Sequence, residues 1–262
     1  MKRLFLFVTL IVCLSVGTFA AEADSIRILF IGNSYTYYND MPEMLKKLAA
    51  GASGKERRKV SYEAFTPGGC TLQKHLKNEE LVKALKYGKW DYVVVQEQSV
   101  APSVHSRDVA KETYPYAKQI CRLAREGNRD VKLIFYMTWG HKDGSNTPVD
   151  GYPLINSYKG MQQRLISSYL EMTYDNNAWC APVGMAWQQV RQERPNLSLY
   201  KPDRFHPSLV GSYLAANVIY SAIVQSAYQS KYLGGLDPEL AEYIQQVGQH
   251  SVLDNLQLLN MQ

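Results

Sequence analysis

Short apolar runs alternate with longer stretches of helical periodicity along most of this chain. Five of the runs have the length of buried strands: residues 26–31, 60–65, 92–96, 131–137 and 181–183. Because these runs are apolar on both faces, they predict a parallel sheet that is covered by helices on each side.

The segments between the strands carry apolar residues at helical spacing. Helices are predicted over residues 40–51, 71–87, 107–126, 151–173, 184–193, 208–229 and 238–259. Regular alternation of strand and helix is typical of a doubly wound α/β fold with right-handed crossovers. The sequence shows no repeat, low-complexity tract or linker, so we predict a single domain over residues 24–262.

The N-terminus has the three parts of a secretory signal peptide, predicted here as residues 1–20. Lys2 and Arg3 precede an apolar stretch over residues 4–16, and small residues mark a cleavage site after Ala20 or as late as Ala23. The stretch is too short for a membrane span, so no stable membrane insertion is expected. Val12 stands before Cys13 where a lipoprotein signal needs a small residue, which argues against a lipid anchor. We therefore expect export to the periplasm or beyond.

Charge and cysteine usage narrow the function classes further. The formal net charge of +5 falls to +3 once Lys2 and Arg3 are cleaved off, and the remaining basic residues are interspersed with acidic ones. This balance indicates a solvated surface and no nucleic-acid partner.

Cys70, Cys121 and Cys180 remain in the mature chain. An odd count leaves at least one free thiol, and the sequence does not choose a disulfide pair among the three.

Unusual polar segments follow every predicted strand. They are Ser34, the glycine turn at residues 67–70, the run Gln96-Glu97-Gln98-Ser99, the loop at residues 138–141, and the pair Asp203 and His206. In open α/β sheets, ligands bind outside the carboxyl ends of the strands. Five such segments at one edge predict a functional site there.

Three of these residues form the set that serine hydrolysis requires. A serine in a sharp turn after a buried strand is a candidate nucleophile, here Ser34, and His206 is the candidate base that takes its proton. Asp203 would orient the imidazole. The competing interpretations are a turn serine, a helix-capping histidine and a turn-forming aspartate.

Two of the segments resemble the SGNH (GDSL-like) hydrolase family. Gly32-Asn33-Ser34-Tyr35-Thr36 is similar to the first family block, where Gly-Asp-Ser is usual, and Asp203-x-x-His206-Pro207 is similar to the last. The Gln-Glu-Gln-Ser run and the end of the last block are closest to an uncharacterised branch of secreted gut-bacterial proteins. The resemblance implies a three-layer α/β/α, flavodoxin-like fold with a five-stranded sheet, and ester hydrolysis through an acyl-enzyme.

The third block departs from the family pattern Gly-x-Asn-Asp, whose asparagine donates to the oxyanion. Gln96 or Gln98 would supply the same amide on a longer arm, and we favour Gln96 because it stands at the strand tip. The backbone N–H groups of Ser34 and of Gly69 (or Gly68) would complete the oxyanion hole. Each glutamine could instead only tie loops together, and the glycines could form a plain turn.

Aromatic residues near the same edge suggest the kind of substrate. Tyr35, Tyr37, Tyr38 and Trp139 are predicted to flank the cleft, with Tyr35 and Trp139 as candidates for contact with substrate. Together with export and the resemblance, they favour removal of O-acetyl groups from carbohydrate. A catalytically weak glycan-binding protein and a lipase or thioesterase of the same fold are the alternatives.

No cofactor or metal is implied by this chemistry. His75, His105, His141 and His250 are too widely spaced for a metal motif. The expected partner is a small-molecule or glycan ester. Neither the acyl group, the glycan nor the oligomeric state follows from the sequence.

Overall fold

The computed structural model describes residues 24–145 and 152–261. The predicted signal peptide and Cys13 lie outside these ranges. Within them, no helix combines the length and the hydrophobicity needed to cross a membrane.

The described residues form one five-stranded sheet in the order β2-β1-β3-β4-β5, with every neighbouring pair parallel. This confirms the predicted α/β fold class. The strands are β1 (Asp24–Ile31), β2 (Arg58–Phe65), β3 (Tyr92–Val95), β4 (Lys132–Tyr136) and β5 (Trp179–Ala181).

Helices cover both faces of the sheet. In chain order they are α1 (Ser34–Tyr37), α2 (Met41–Gly51), α3 (Leu72–His75), α4 (Glu79–Tyr87), α5 (Ser106–Glu112), α6 (Tyr114–Gly127), α7 (Tyr158–Asp175), α8 (Val183–Glu193), α9 (Leu209–Val224) and α10 (Pro238–Leu253). Helices α2, α8, α9 and α10 contact one another in one layer, whereas α4, α6 and α7 belong to the other. Because α9 lies between α2, α8, α10 and β5, it is buried on almost every side.

Two predicted helices are broken in the structure. The segment 71–87 forms α3 and α4 because the Asn78 side chain caps α4, accepting hydrogen bonds from the N–H groups of Glu80 and Leu81 at 2.9 and 3.2 Å. The segment 107–126 forms α5 and α6. Thr113 has non-helical backbone angles at the junction, and Pro115 occupies the first turn of α6.

The strand order places the predicted site at a topological switch point. Chain connections leave β1 toward β2 on one side and return to β3 on the other, so a crevice opens between the carboxyl ends of β1 and β3. Ser34 follows β1 and the 96–99 run follows β3. Cys70, Cys121 and Cys180 are buried free thiols, with no disulfide among them.

Candidate active site

The nucleophile candidate sits in a sharp turn directly after β1. Ile28, Leu29 and Phe30 are fully buried, so the strand is fixed and Ser34 projects from its end as the first residue of α1. Gly32 makes the turn possible: a Cβ atom there would lie 2.4 Å from Thr36 Oγ1 and 2.6 Å from Gln96 Oε1. Any side chain at this position would therefore displace the turn.

Hydrogen bonds with two buried side chains, Gln96 and His75, hold this turn in place. Gln96 Oε1 accepts hydrogen bonds from the Asn33 N–H at 3.0 Å and from the Thr36 hydroxyl at 2.9 Å. His75 Nε2 lies 2.7 Å from the Gly32 carbonyl, and since a carbonyl only accepts, Nε2 carries the proton. Burial lowers the pKa of His75, so the ring stays neutral at neutral pH.

The structure brings Ser34, His206 and Asp203 together in one chain of hydrogen bonds. Ser34 Oγ lies 2.8 Å from His206 Nε2, and His206 Nδ1 lies 2.8 Å from Asp203 Oδ2. Asp203 is three residues before His206, and the two form a turn in which Asp203 Oδ1 accepts from the N–H groups of Phe205 and His206 at 3.1 and 3.0 Å.

These contacts determine the histidine tautomer. An ionised carboxylate only accepts hydrogen bonds, so Nδ1 must donate to Asp203. The neutral imidazole then has its lone pair on Nε2, facing the Ser34 hydroxyl. Slight burial raises the pKa of Asp203, but hydrogen bonds from the side chain and backbone of His206 outweigh it, and the net pKa is lowered. The carboxylate therefore remains ionised wherever His206 can act as a base.

Aromatic rings and two hydrogen bonds to backbone carbonyls hold the imidazole in place. The His206 ring lies between Tyr38 and Phe205, with ring centroids 4.3 and 4.2 Å away. Trp139 Nε1 donates to the Phe205 carbonyl at 3.0 Å and so anchors the His206 segment. On the other side, the Asn39 side chain donates to the Pro207 carbonyl at 3.2 Å.

The placement of Tyr35 and Trp139 corrects their prediction as substrate contacts. Trp139 is fully buried and Tyr35 is 2% exposed. The Trp139 ring stacks on Tyr35 and Trp187, at centroid distances of 4.5 and 3.9 Å. The rings thus form a buried support for the His206 segment. Of the four aromatic residues predicted to flank the cleft, Tyr37 is the most exposed, at 45%.

The glycine turn lies beside the nucleophile and is tied to it. Cys70 N–H donates to the Pro67 carbonyl at 3.1 Å and closes the turn, in which Gly69 has a φ of +64°. Asn33 Nδ2 donates to the Cys70 carbonyl at 3.1 Å, a bond that the usual aspartate could not make. Over the described ranges, the Gly69 N–H has no hydrogen-bond partner. It is therefore available to an incoming oxyanion.

Comparison with known proteins places this arrangement in a structural class. No family model and no curated protein matches the chain. Among solved structures, it is similar to a DUF4886 family protein from Bacteroides uniformis, with 21% identity, a TM-score of 0.72, and coverage of 88% of this chain and 95% of that one. A protein from Slackia heliotrinireducens that is assigned to the SGNH hydrolases shares 26% identity at a TM-score of 0.60, covering 76% of this chain and all (100%) of that one.

An acetylxylan esterase from Geobacillus stearothermophilus is similar over 78% of this chain and 94% of its own, with 16% identity and a TM-score of 0.51. The chain has the SGNH hydrolase fold. This confirms the resemblance that the first and last sequence blocks predicted.

The two glutamines of the third SGNH block have different surroundings. Gln96 is fully buried, and its amide Nε2 donates to the Glu97 carbonyl, so the described geometry directs it away from an oxyanion. Gln98 is only partly buried; its Oε1 accepts from the N–H groups of Val100 and Ala101 at 2.8 and 3.0 Å, and its Nε2 lies 3.3 Å from Ser99 Oγ. This arrangement favours Gln98, the alternative, over Gln96.

Two residues of the predicted site segments received no role from the sequence. His141 lies near the hydrogen-bonded chain of Ser34, His206 and Asp203, with Nε2 3.4 Å from Ser99 Oγ. Burial, followed by the nearby His206, lowers the pKa of His141 to about 4. It is therefore a neutral polar group at neutral pH. Glu97 is 1% exposed although it is an acidic residue. The segments of both residues were predicted at the site, but the roles within them depend on contacts with loops that are distant in sequence.

Proposed function

We propose that the protein is an exported serine esterase that removes O-acetyl groups from carbohydrate. The observation that supports this most strongly is the continuous hydrogen-bonded chain from Ser34 through His206 to Asp203, with both distances at 2.8 Å. Such a chain is the arrangement that activates a serine hydroxyl for attack.

In the acylation step, Ser34 Oγ attacks the ester carbonyl carbon while His206 Nε2 takes the hydroxyl proton. The new carbon–oxygen bond converts the carbonyl oxygen into an oxyanion. When the tetrahedral intermediate collapses, the bond to the sugar oxygen breaks, and His206 gives its proton to the leaving alcohol. The product that remains is acetylated Ser34.

In the deacylation step, a water molecule attacks the acetyl carbon, and His206 takes the proton of that water. Collapse of the second intermediate breaks the bond to Ser34 Oγ, which regains its proton, and acetate leaves. The N–H groups of Ser34 and Gly69 and the side-chain amide of Gln98 would stabilise both oxyanions. For Gln98, this requires that Nε2 turn from Ser99 toward the substrate.

Two observations support carbohydrate as the carrier of the acetyl group. Two of the structural neighbours are acetylxylan esterases, which identifies the substrate of those proteins and motivates the proposal for this one. Tyr37, only three residues from the nucleophile, exposes an aromatic ring that a sugar could stack on. The predicted signal peptide would bring the enzyme to such substrates outside the cytoplasm.

The substrate class is tested by comparing acyl chain lengths and carriers. We expect the mature protein to hydrolyse p-nitrophenyl acetate at least about tenfold faster, in kcat/KM, than p-nitrophenyl octanoate, because no chemistry in the proposal requires a long acyl pocket. It should also release acetate from acetylated xylo-oligosaccharides, measured by an enzyme-coupled acetate assay.

Other outcomes separate the alternatives. A preference for the octanoate ester would indicate a lipase or thioesterase. Glycan binding by calorimetry without hydrolysis of any ester would indicate a binding protein, for which the internally bonded amides of Gln96 and Gln98 are the supporting observation.

A further inference from the structure

Glu97 is a buried acid that the proposed mechanism does not use. Its side chain lies between the two loops at the crevice, where Oε1 accepts hydrogen bonds from the Leu72 N–H at 3.1 Å and the Gln98 N–H at 2.6 Å. Oε2 also approaches the Leu72 N–H, at 3.3 Å. Across residues 24–145 and 152–261, no lysine, arginine or histidine forms an ion pair with it.

The partners of this carboxylate belong to the two segments that carry the proposed oxyanion donors. Leu72 begins α3, three residues after Gly69, and Gln98 is the amide donor itself. The backbone of Glu97 is fixed as well: its N–H donates to the Tyr169 hydroxyl at 3.2 Å, and its carbonyl accepts from the Gln96 amide. The Glu97 side chain therefore connects the segment after the glycine turn to the loop after β3, while its own backbone is held by hydrogen bonds.

We propose that the Glu97 carboxylate is a positioning residue that sets the distance between the Gly69 and Gln98 donors, a role that rests on the esterase function proposed above. A carboxylate accepts N–H groups from two directions at once, which a neutral side chain does less strongly. Donors that are held in advance need no reorganisation when charge develops on the substrate oxygen.

The surroundings of Glu97 make this role dependent on pH. Burial raises the pKa of Glu97 to about 7, although the N–H groups of Gln98 and Leu72 lower it in part. Cys70 from the glycine turn and Tyr169 from α7 both interact electrostatically with Glu97, and burial is the main cause that raises the pKa of each. Lys74 of α3 interacts with Cys70. Because the pKa values of Cys70 and Tyr169 are raised, both keep their protons near neutral pH, and of these three groups Glu97 is the one that titrates there.

The test is Glu97→Gln in the full mature chain, which keeps the shape and removes the charge. With p-nitrophenyl acetate at pH 8, we expect kcat to fall about tenfold to a hundredfold, while KM stays within about twofold. Displacing the oxyanion donors should cost part of the rate that complete removal of one donor costs. The wild-type rate should rise with pH through the ionisation of Glu97, and this step should be absent from the pH profile of the variant.

Thermal unfolding distinguishes positioning from a structural role. A buried acid with a raised pKa favours the folded state when protonated, and that advantage is lost as the pH rises through about 7. At each pH, we compare the unfolding temperature of Glu97→Gln with that of the wild type. This difference should favour the variant more at pH 8 than at pH 5. A variant that is slower yet more stable at pH 8 supports positioning, whereas one that is slower and less stable there overturns it.

The control is Glu80→Gln, an exposed acid on α4, which should leave rate, pH profile and stability unchanged. A Glu97→Gln variant that keeps the wild-type kcat and the wild-type pH profile overturns the positioning role alone. If the wild-type protein shows no Ser34-dependent hydrolysis, the esterase function itself fails, and this role fails with it.

Discussion

Ser34→Ala and His206→Ala are each expected to reduce kcat for p-nitrophenyl acetate by about 10⁴-fold or more. The first removes the oxygen that forms the acyl-enzyme, and the second removes the base 2.8 Å from it. Because nucleophile and base act as a unit, the double variant should be about as slow as either single variant. The rates of all three variants are measured in steady-state hydrolysis, which is monitored through the release of p-nitrophenol.

Matched controls separate loss of chemistry from loss of fold. Ser61→Ala on β2 and His250→Ala on α10 remove the same groups from exposed positions and should keep the wild-type rate. Circular dichroism should show the same folded state in every variant. A Ser34→Ala variant that retains more than about a tenth of the activity would contradict the assignment of Ser34.

Asp203→Asn is expected to reduce kcat by about 10³- to 10⁴-fold. In the wild type, Asp203 Oδ1 accepts two backbone N–H groups, and Oδ2 faces His206 Nδ1. In the variant, the amide oxygen takes the place of Oδ1 because only an oxygen can accept these N–H groups. The NH₂ group therefore faces His206 Nδ1. Nδ1 must then accept, and the neutral ring carries its proton on Nε2, which can no longer take the proton of Ser34. The triad geometry stays intact while its function is lost.

The pH profile of the wild type gives a second readout for Asp203. Because the pKa of Asp203 is lowered, wild-type activity should show no ionisation of this group at the pH values where the enzyme works. Asp130→Asn, at an exposed turn, is the matched control and should have no effect. If Asp203→Asn stays within about tenfold of the wild type, then Asp203 does not determine the tautomer of His206.

The sheet and the triad could be predicted because each rests on a local pattern. Apolar runs of strand length, such as the one ending at Ile31, need both faces buried, and that requirement alone indicates the parallel sheet. Ser34 directly follows such a run, and His206 precedes the predicted helix that becomes α9. In a parallel α/β sheet, the carboxyl ends of the strands and the segments that lead into the next helices meet at one edge.

The parts that were predicted wrongly depend on contacts between distant segments. Periodicity alone did not reveal that Asn78 would cap a new helix, since a capping side chain also occurs on helix surfaces. Trp139 was predicted in the cleft because it follows a strand, but its ring is covered by Trp187 from α8. Sequence order gives the edge of the sheet on which a side chain lies, and packing across that edge decides whether solvent reaches it.

The same limit applies to the run after β3. Gln96 and Gln98 are the same residue type two positions apart, and only the structure shows that Gln96 supports the nucleophile turn from below. Burial of Glu97 could not be inferred, because acidic residues are rarely buried without a charged partner. A run of polar residues at a strand end is thus a sign of a site, but it does not assign the roles within it.

Labelling with a fluorophosphonate probe tests the central claim most directly, because the probe forms a covalent bond only with an activated serine. The account predicts one label per chain, located by mass spectrometry on the peptide that contains Ser34, with loss of labelling in Ser34→Ala and slow labelling in His206→Ala. A label on any other serine, or hydrolysis of esters by a protein that the probe leaves unlabelled, would contradict it.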